Sequence, residues 1–432
     1  MSTPLRILFV AHGWPPREQA GAELVAAQLA TALARRGHAV AAFAASGDPA
    51  VPPHVVTRAA VDGLSVTRVR TAMERADSLR ATVFDPQVRR LFDEELARRF
   101  DVVHVHHLLG LSSDLVLAAK RAGARVVVTL HDFWYLCARG QRLMPNGHLC
   151  SDIDLARCAR CIAGKRVKWG ARFVATRGLR ALRELPGYLA ANLGKRALRR
   201  RMEEYSAALA AADVVTAPSR FVLDEHVRHG LSPAKARLVE NGVDDGFVAR
   251  LAPRSGPGAP LRFGFVGSFL PSKGVDLLLE AFRGVAPGRA ALDLFGTSPW
   301  DGGAHERRLR ARHARENVRF HGPFAHERIA DVLAGIDVLV LPSRWYENAP
   351  VTLDEAALAQ LPVVVAGHGG MAEWLERRRN GLAFRPDDAA DLRAQLLRFV
   401  DEPGLWERLR RPAHPVRTVA ASAAEFEAIY AA

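Results

Sequence analysis

A chain of 432 residues exceeds one ordinary hydrophobic core and matches two domains of roughly 200 residues each. It is 49% hydrophobic and 25% charged, with no uninterrupted apolar run near the ~20 residues that span a bilayer, which argues against an integral membrane protein. The net charge of +14 is local: from Lys165 to Arg201 twelve basic residues face one acid, Glu184, and supply +11 of it. With no nucleic-acid module beside that segment, the expectation is no nucleic-acid partner.

Met1 to Val10 holds one Arg and a short Ile-Leu-Phe-Val run with no small-residue cleavage site, which reads as a first strand of a cytoplasmic protein. Beyond it, short β-branched runs alternate with helix-period segments, the grammar of βα units and a parallel sheet. Strands are predicted over Arg6 to Ala11, His38 to Phe43, Leu64 to Val69, Asp101 to His106, Arg125 to Leu130 and Asp213 to Pro218, with helices such as Gly21 to Arg36 and Gln87 to Arg99. The Pro/Gly-rich stretch Leu251 to Pro260 reads as a linker. Strands then resume over Leu261 to Val266, Ala290 to Phe295, Asn317 to His321, Asp337 to Leu341 and Pro362 to Ala366. The expected architecture is α/β, two facing Rossmann-like doubly wound parallel-sheet domains (1–250 and 261–405) with an interdomain cleft. Residues 406–432 form a helical segment expected to return to the first domain. Ligands bind beyond the carboxyl ends of such strands.

After Val266 the turn Gly267 to Gly274 contains Ser268 and Lys273 and feeds a Leu-rich helix, offering N–H groups and a point charge to a phosphate. The order is not that of a Walker A loop, and a solvated loop lysine is the plainer reading. After Leu341 comes Pro342 to Pro350, then a helix over Val351 to Gln360 with Pro350 suited to its first turn. Glu347 then lies in the loop and Glu355 on the second helical turn, so an anion at the helix amino terminus has a carboxylate on each side. The plainer reading is a turn residue and a surface helix residue.

In the first half, Arg125 to Leu130 ends in His131-Asp132, where a turn histidine capping a strand end is the plain reading. His104 and His106 share one strand face and His107 points away, so the three do not converge on a metal; His106 is expected to line a pocket. Cys137, Cys150, Cys158 and Cys161 fall in one short window containing a single C-x2-C, which leaves a structural zinc site and free thiols as alternatives. Asp152-Ile153-Asp154 lies inside that loop and is rejected as a catalytic metal motif. Lys165 to Arg201 interleaves its charges with Trp169, Phe173 and several Leu, which suits amphipathic helices on an anionic leaflet or, equally, a solvated helical face.

The segment PSRWYENAPVTLDEA, with Glu347 and Glu355 separated by seven residues, resembles the E-x7-E motif of the retaining glycosyltransferase family 4, whose fold is the GT-B type. Trp14-Pro15-Pro16 with Gly21-Ala22-Glu23 and Ala34 to Val40, Asn241-Gly242-Val243-Asp244, and Gly369 to Glu373 are similar to further stretches of that family in the same order. The resemblance covers about residues 6 to 400. It implies that Lys273 and Ser268 bind the donor diphosphate together with the amino terminus at Pro350, and that Glu355 holds the ribose. It assigns Glu347 and the amides of Asn348 and Ala349 to the transferred sugar, and has Gly21 let its loop approach the phosphates. Thr129-Leu130-His131-Asp132 matches the family's T-x-H-D, which gives His131 a contact with the donor sugar. Ser268 stands where many members carry Arg, and Ala20 replaces the first Gly of a pair. The implied activity is transfer from a UDP- or GDP-sugar to a glycan or lipid-linked acceptor, with no cofactor needed for catalysis, in the cytoplasm or peripherally on the inner membrane face. The rival is a catalytically inactive scaffold of the same fold that binds an anionic membrane or nucleic acid through the basic segment.

Overall fold

The computed structural model describes residues 3–73, 76, 78–163, 187–251, 256–298 and 301–432. The chain forms two compact units, Met1–Asn146 with Cys150–Glu240 and Val419–Ala432, and Asn241–Thr418 with Gly147–Leu149. Among the described residues no helix is long and apolar enough to cross a membrane.

The first unit holds an eight-stranded sheet: β1 (Arg6–Ala11), β2 (Ala39–Ser46), β3 (Val56–Val61), β4 (Leu64–Arg70), β5 (Val102–Val105), β6 (Arg125–Thr129), β7 (Val214–Ala217) and β8 (Ala236–Leu238). Their spatial order is β3-β4-β2-β1-β5-β6-β7-β8. All pairs are parallel except β3 with β4, which are antiparallel. The order reverses between β1 and β5, so the loops after those two strands border the crevice where doubly wound sheets bind ligands. Strand β3 was not expected. Its signal is the Asp62-Gly63 turn, both residues at positive φ, 49° and 80°, which suits a two-residue hairpin. Its exposed, weakly alternating edge hides the strand from a search for buried runs.

The second unit holds β9 (Leu261–Val266), β10 (Ala290–Phe295), β11 (Val318–Gly322), β12 (Val338–Leu341), β13 (Val363–Ala366) and β14 (Gly381–Phe384), all parallel, in the order β11-β10-β9-β12-β13-β14. Here the switch lies between β9 and β12. Strands β12 and β13 are buried throughout, as a sheet covered on both faces requires. Phe263, Phe265, Phe269, Phe282 and Trp374 anchor the core.

The chain leaves the first unit at Glu240, ahead of the boundary at 250 read from the Pro/Gly run. The reason is packing: Phe247 is buried in the second unit's core, and Val243 N–H donates to Arg417 O at 2.9 Å. Segment 406–432 divides. Trp406 donates its indole N–H to Asp337 O at 2.9 Å within the second unit, whereas helix Val419–Ala431 buries Phe426 and Tyr430 in the core of the first.

Candidate active site

The switch point of the second unit brings the loops after β9 and β12 together. Gly274 has φ 70°, and a Cβ there would lie 2.1 Å from Pro342 O, so only glycine admits this approach. Arg344 N–H donates to Ser272 O at 2.8 Å, and its side chain reaches Asp276 at 2.5 Å and Asp387 at 2.7 Å. Pinned in this way, Lys273 places Nζ 2.6 Å from Glu347 Oε1. The same oxygen accepts from Ser343 Oγ and Trp345 Nε1, each at 2.7 Å. Lys273 Nζ also stands 5.5 Å from the Trp345 ring centroid. Hydrogen bonds to a charged group are worth about 1.5–3 kcal/mol each, so three donors on one oxygen fix the carboxylate's direction. Glu347 is 6% exposed and so is not the solvent-facing turn residue of the plainer reading.

Helix Val351–Leu358 starts where the sequence placed it and ends two residues sooner; Pro350 sits at the cap with extended ψ of 118°, and no side chain caps the first amides. Glu355, 2% exposed, lies on the second turn as expected. His326 Nε2 stands 3.2 Å from its Oε1, while Oε2 is buried without a partner. Burial lowers the His326 pKa, but the Glu355 hydrogen bond and charge outweigh it and leave the group raised. Asn348 is buried beside Glu347, and Ala349 O accepts from Asn241 Nδ2 at 3.4 Å. A Cβ at Gly370 would meet Asn348 O at 1.5 Å, which explains the glycine pair after β13. Ser268 lies in the loop after β9, short of the turn that carries Lys273.

In the first unit, Gly21 opens helix Gly21–Arg35, and a Cβ there would meet nothing within 4 Å. Glu23, two residues on, is buried and faces His12 Nε2 at 3.0 Å; Glu23 Oε2 and His12 Nδ1 are buried without partners. Burial opposes both charges, yet each is held by the other: Glu23 falls to about 2 and His12 is raised.

His131 behaves oppositely. Its Nε2 lies 2.9 Å from His106 Nδ1, with the rings stacked at 5.1 Å, and burial followed by the nearby His107 lowers it to about 3. It is a neutral imidazole at neutral pH. His106 is 1% exposed, so it supports His131 from behind and does not line a pocket as expected. His104 is spent on Tyr430 OH and Thr129 Oγ1, each at 2.7 Å. His107 Nδ1 accepts from Leu109 N–H at 3.0 Å, so its Nε2–H donates to Asp132 Oδ1 at 3.3 Å; that oxygen also accepts from Trp134 N–H at 2.7 Å.

Residues 20–247 match the model of Glycosyltransferase Family 4, and residues 260–402 match Glycosyl transferases group 1. The chain belongs to glycosyltransferase family 4. It is 30% identical over 217 residues to a D-inositol 3-phosphate glycosyltransferase of Streptomyces bingchenggensis, covering 46% of this chain and 48% of that one. The chain spans about half the length of the curated relatives it matches. Its fold is similar to sucrose-phosphate synthase from Thermosynechococcus elongatus (TM-score 0.63, 20% identity, 99% of this chain and 96% of that one). It is equally similar to HepE from Anabaena in complex with UDP and glucose (TM-score 0.63, 17% identity, 99% and 100%). Two parallel-sheet α/β domains of the GT-B kind are therefore the fold of this family 4 chain.

Sequence reasoning missed Ser343, Trp345 and His326 around the two glutamates, and His12 opposite Glu23. Ser343 and Trp345 sit inside the quoted PSRWYEN stretch, so proximity was a usable signal; His326 carried none. Asp154 accepts from Arg157 N–H at 2.5 Å at the start of helix Leu155–Ala163, a capping role that agrees with rejecting the D-x-D. Of the basic segment, 165–186 lie outside the described residues. Arg201 is no part of a solvated face: it is buried, its guanidinium 4.7 Å from both the Trp134 and Tyr205 ring centroids.

Proposed function

We propose that this chain is a retaining glycosyltransferase that moves a sugar from a nucleoside diphosphate sugar, UDP- or GDP-linked, to a hydroxyl of a glycan or lipid-linked acceptor. The observation that carries the reading is the triple-donor cradle of Glu347 beside Lys273, set at the switch point ahead of an uncapped helix amino terminus. Family membership and neighbours solved with UDP and glucose support a nucleotide-sugar donor.

A diphosphate entering this crevice competes with Glu347 for Lys273 and takes first-turn N–H groups that no side chain caps. Ser268 lies on the same loop as Lys273. Glu347, released from the lysine but still held by Ser343 and Trp345, then accepts from a hydroxyl of the transferred sugar, with the amides of Asn348 and Ala349 beside it. The free Oε2 of Glu355 accepts from the ribose. Neutral His131 is assigned a sugar hydroxyl through Nδ1, since its Nε2 is engaged by His106. Charge on the departing diphosphate is balanced by Lys273 and the helix dipole, so no divalent metal takes part.

Incubation of the purified protein with a panel of UDP- and GDP-sugars tests this. Turnover or thermal stabilisation by one donor, insensitive to EDTA, is expected; neither response to any donor overturns it. Sedimentation with anionic vesicles tests the lipid-linked acceptor, for which the basic segment is the support.

A further inference from the structure

The loop that follows His131-Asp132 carries four cysteines that the sugar-transfer reading does not use. Cys137 closes a turn on Phe133 O at 2.7 Å, Cys150 N–H donates to Arg142 O at 2.8 Å, and Cys158 and Cys161 lie one turn apart on helix Leu155–Ala163. All four are half-buried, unpaired, and line one small cavity of about 30 Å³, enough for a single ion or water. A second observation points to what belongs there. Arg139 and Arg157 line the same cavity, and Arg139 Nε and Nη1 and Arg157 Nε are buried without partners.

Four neutral thiols are poor acceptors for buried guanidinium N–H groups. Thiolates are good ones, but four bare thiolates would repel one another and need a cation. A divalent ion with four thiolates leaves a net charge of −2, which two arginines offset. We propose that Cys137, Cys150, Cys158 and Cys161 form a tetrathiolate site for one structural zinc ion, with Arg139 and Arg157 as its charge-balancing neighbours. The C-x2-C spacing of Cys158 and Cys161 is one that zinc sites use.

Binding forms four Zn–S bonds and releases the four thiol protons to solvent. Among the described residues no three His, Cys, Asp or Glu side chains are already drawn in to clasp an ion, so the thiol side chains turn inward as the protons leave. The ion would tie helix Leu155–Ala163 to the turn that directly follows His131.

Metal analysis of the full chain, expressed without added zinc and desalted, tests the site. About one zinc per chain is expected, released in step with the thiols when they are titrated with a mercurial in the presence of a chromogenic zinc indicator. Cys158→Ser and Cys161→Ser should each lower retained zinc at least about tenfold. If those variants do not fold, the titration of the unaltered protein decides. Zinc below about 0.1 per chain with four thiols freely reactive in the native protein, or iron in stoichiometric amount, overturns the proposal. Neither result depends on a donor sugar being found, so failure here leaves the transferase reading untouched.

Discussion

The crevices of the two units are built by opposite electrostatic means. In the second, opposite charges are paired: Lys273 Nζ stands 2.6 Å from Glu347 Oε1, with Ser343 and Trp345 completing the cradle. In the first, burial strips charge from the histidines: His104 and His131 fall to about 3 and His106 well below its ordinary value, while His12–Glu23 is retained as an ion pair and Asp132 is held below its ordinary value despite burial, by the nearby His107. Under the proposed function a diphosphate needs fixed charge, which the crevice of the second unit supplies.

The largest test of that contrast lies in the charged crevice. Glu347→Gln keeps shape and removes charge, and should lower kcat/KM by about 10³ with an unchanged fold by circular dichroism; activity within a factor of two of the parent would remove Glu347 from the site. Lys273→Met should cost about 10² in kcat/KM, read chiefly as donor affinity, because it removes the only point charge set against the phosphates in this reading. Glu355→Gln should raise the donor KM about tenfold while leaving kcat nearly intact, as expected of a group that holds the ribose. A fall in kcat instead would move Glu355 nearer the reacting bond.

The neutral crevice is sharpened by pH. His104 has a folded pKa near 3 against an ordinary 6.5, so the folded state binds fewer protons than the unfolded chain between those values. Its contribution is complete above about 6.5 and is lost as pH falls towards 3, at about 1.4 kcal/mol per pH unit. His12 has the reverse sign, its raised pKa giving stability that is complete below 6.5 and lost as pH rises through the raised value. Thermal melts from pH 8 to pH 5 should therefore show a net fall in acid, because the buried histidines with lowered pKa, His104, His106, His107, His131 and His226, outnumber the two with raised pKa, His12 and His326; a flat profile contradicts the burial argument. The smallest effect is Tyr430→Phe, which leaves His104 Nδ1 short of its 2.7 Å partner and should cost about 1 kcal/mol in urea unfolding.

Much of the site could be read without coordinates because its parts are local. Lys273, Glu347 and Glu355 each follow a strand that a β-branched run announces, and seven residues between the glutamates place them on either side of a helix start. What escaped was the partner of each group. Ser343 and Trp345 were within reach, whereas His326 and Tyr430 meet their partners only through distant contacts. His106 was misplaced because a two-residue period tells which face of a strand a side chain takes, not how deeply that face is buried.

Sequence alone determined the alternation of strand and helix, the two parallel sheets and the loops that carry chemistry, since those follow from short-range periodicity and from small residues at fixed offsets. Tertiary structure decided where one unit yields to the next at Glu240, which strand order creates each switch point, and which histidines lose their charge. Those depend on what packs against a residue from far along the chain, and burial and partner distance are not written in the neighbours.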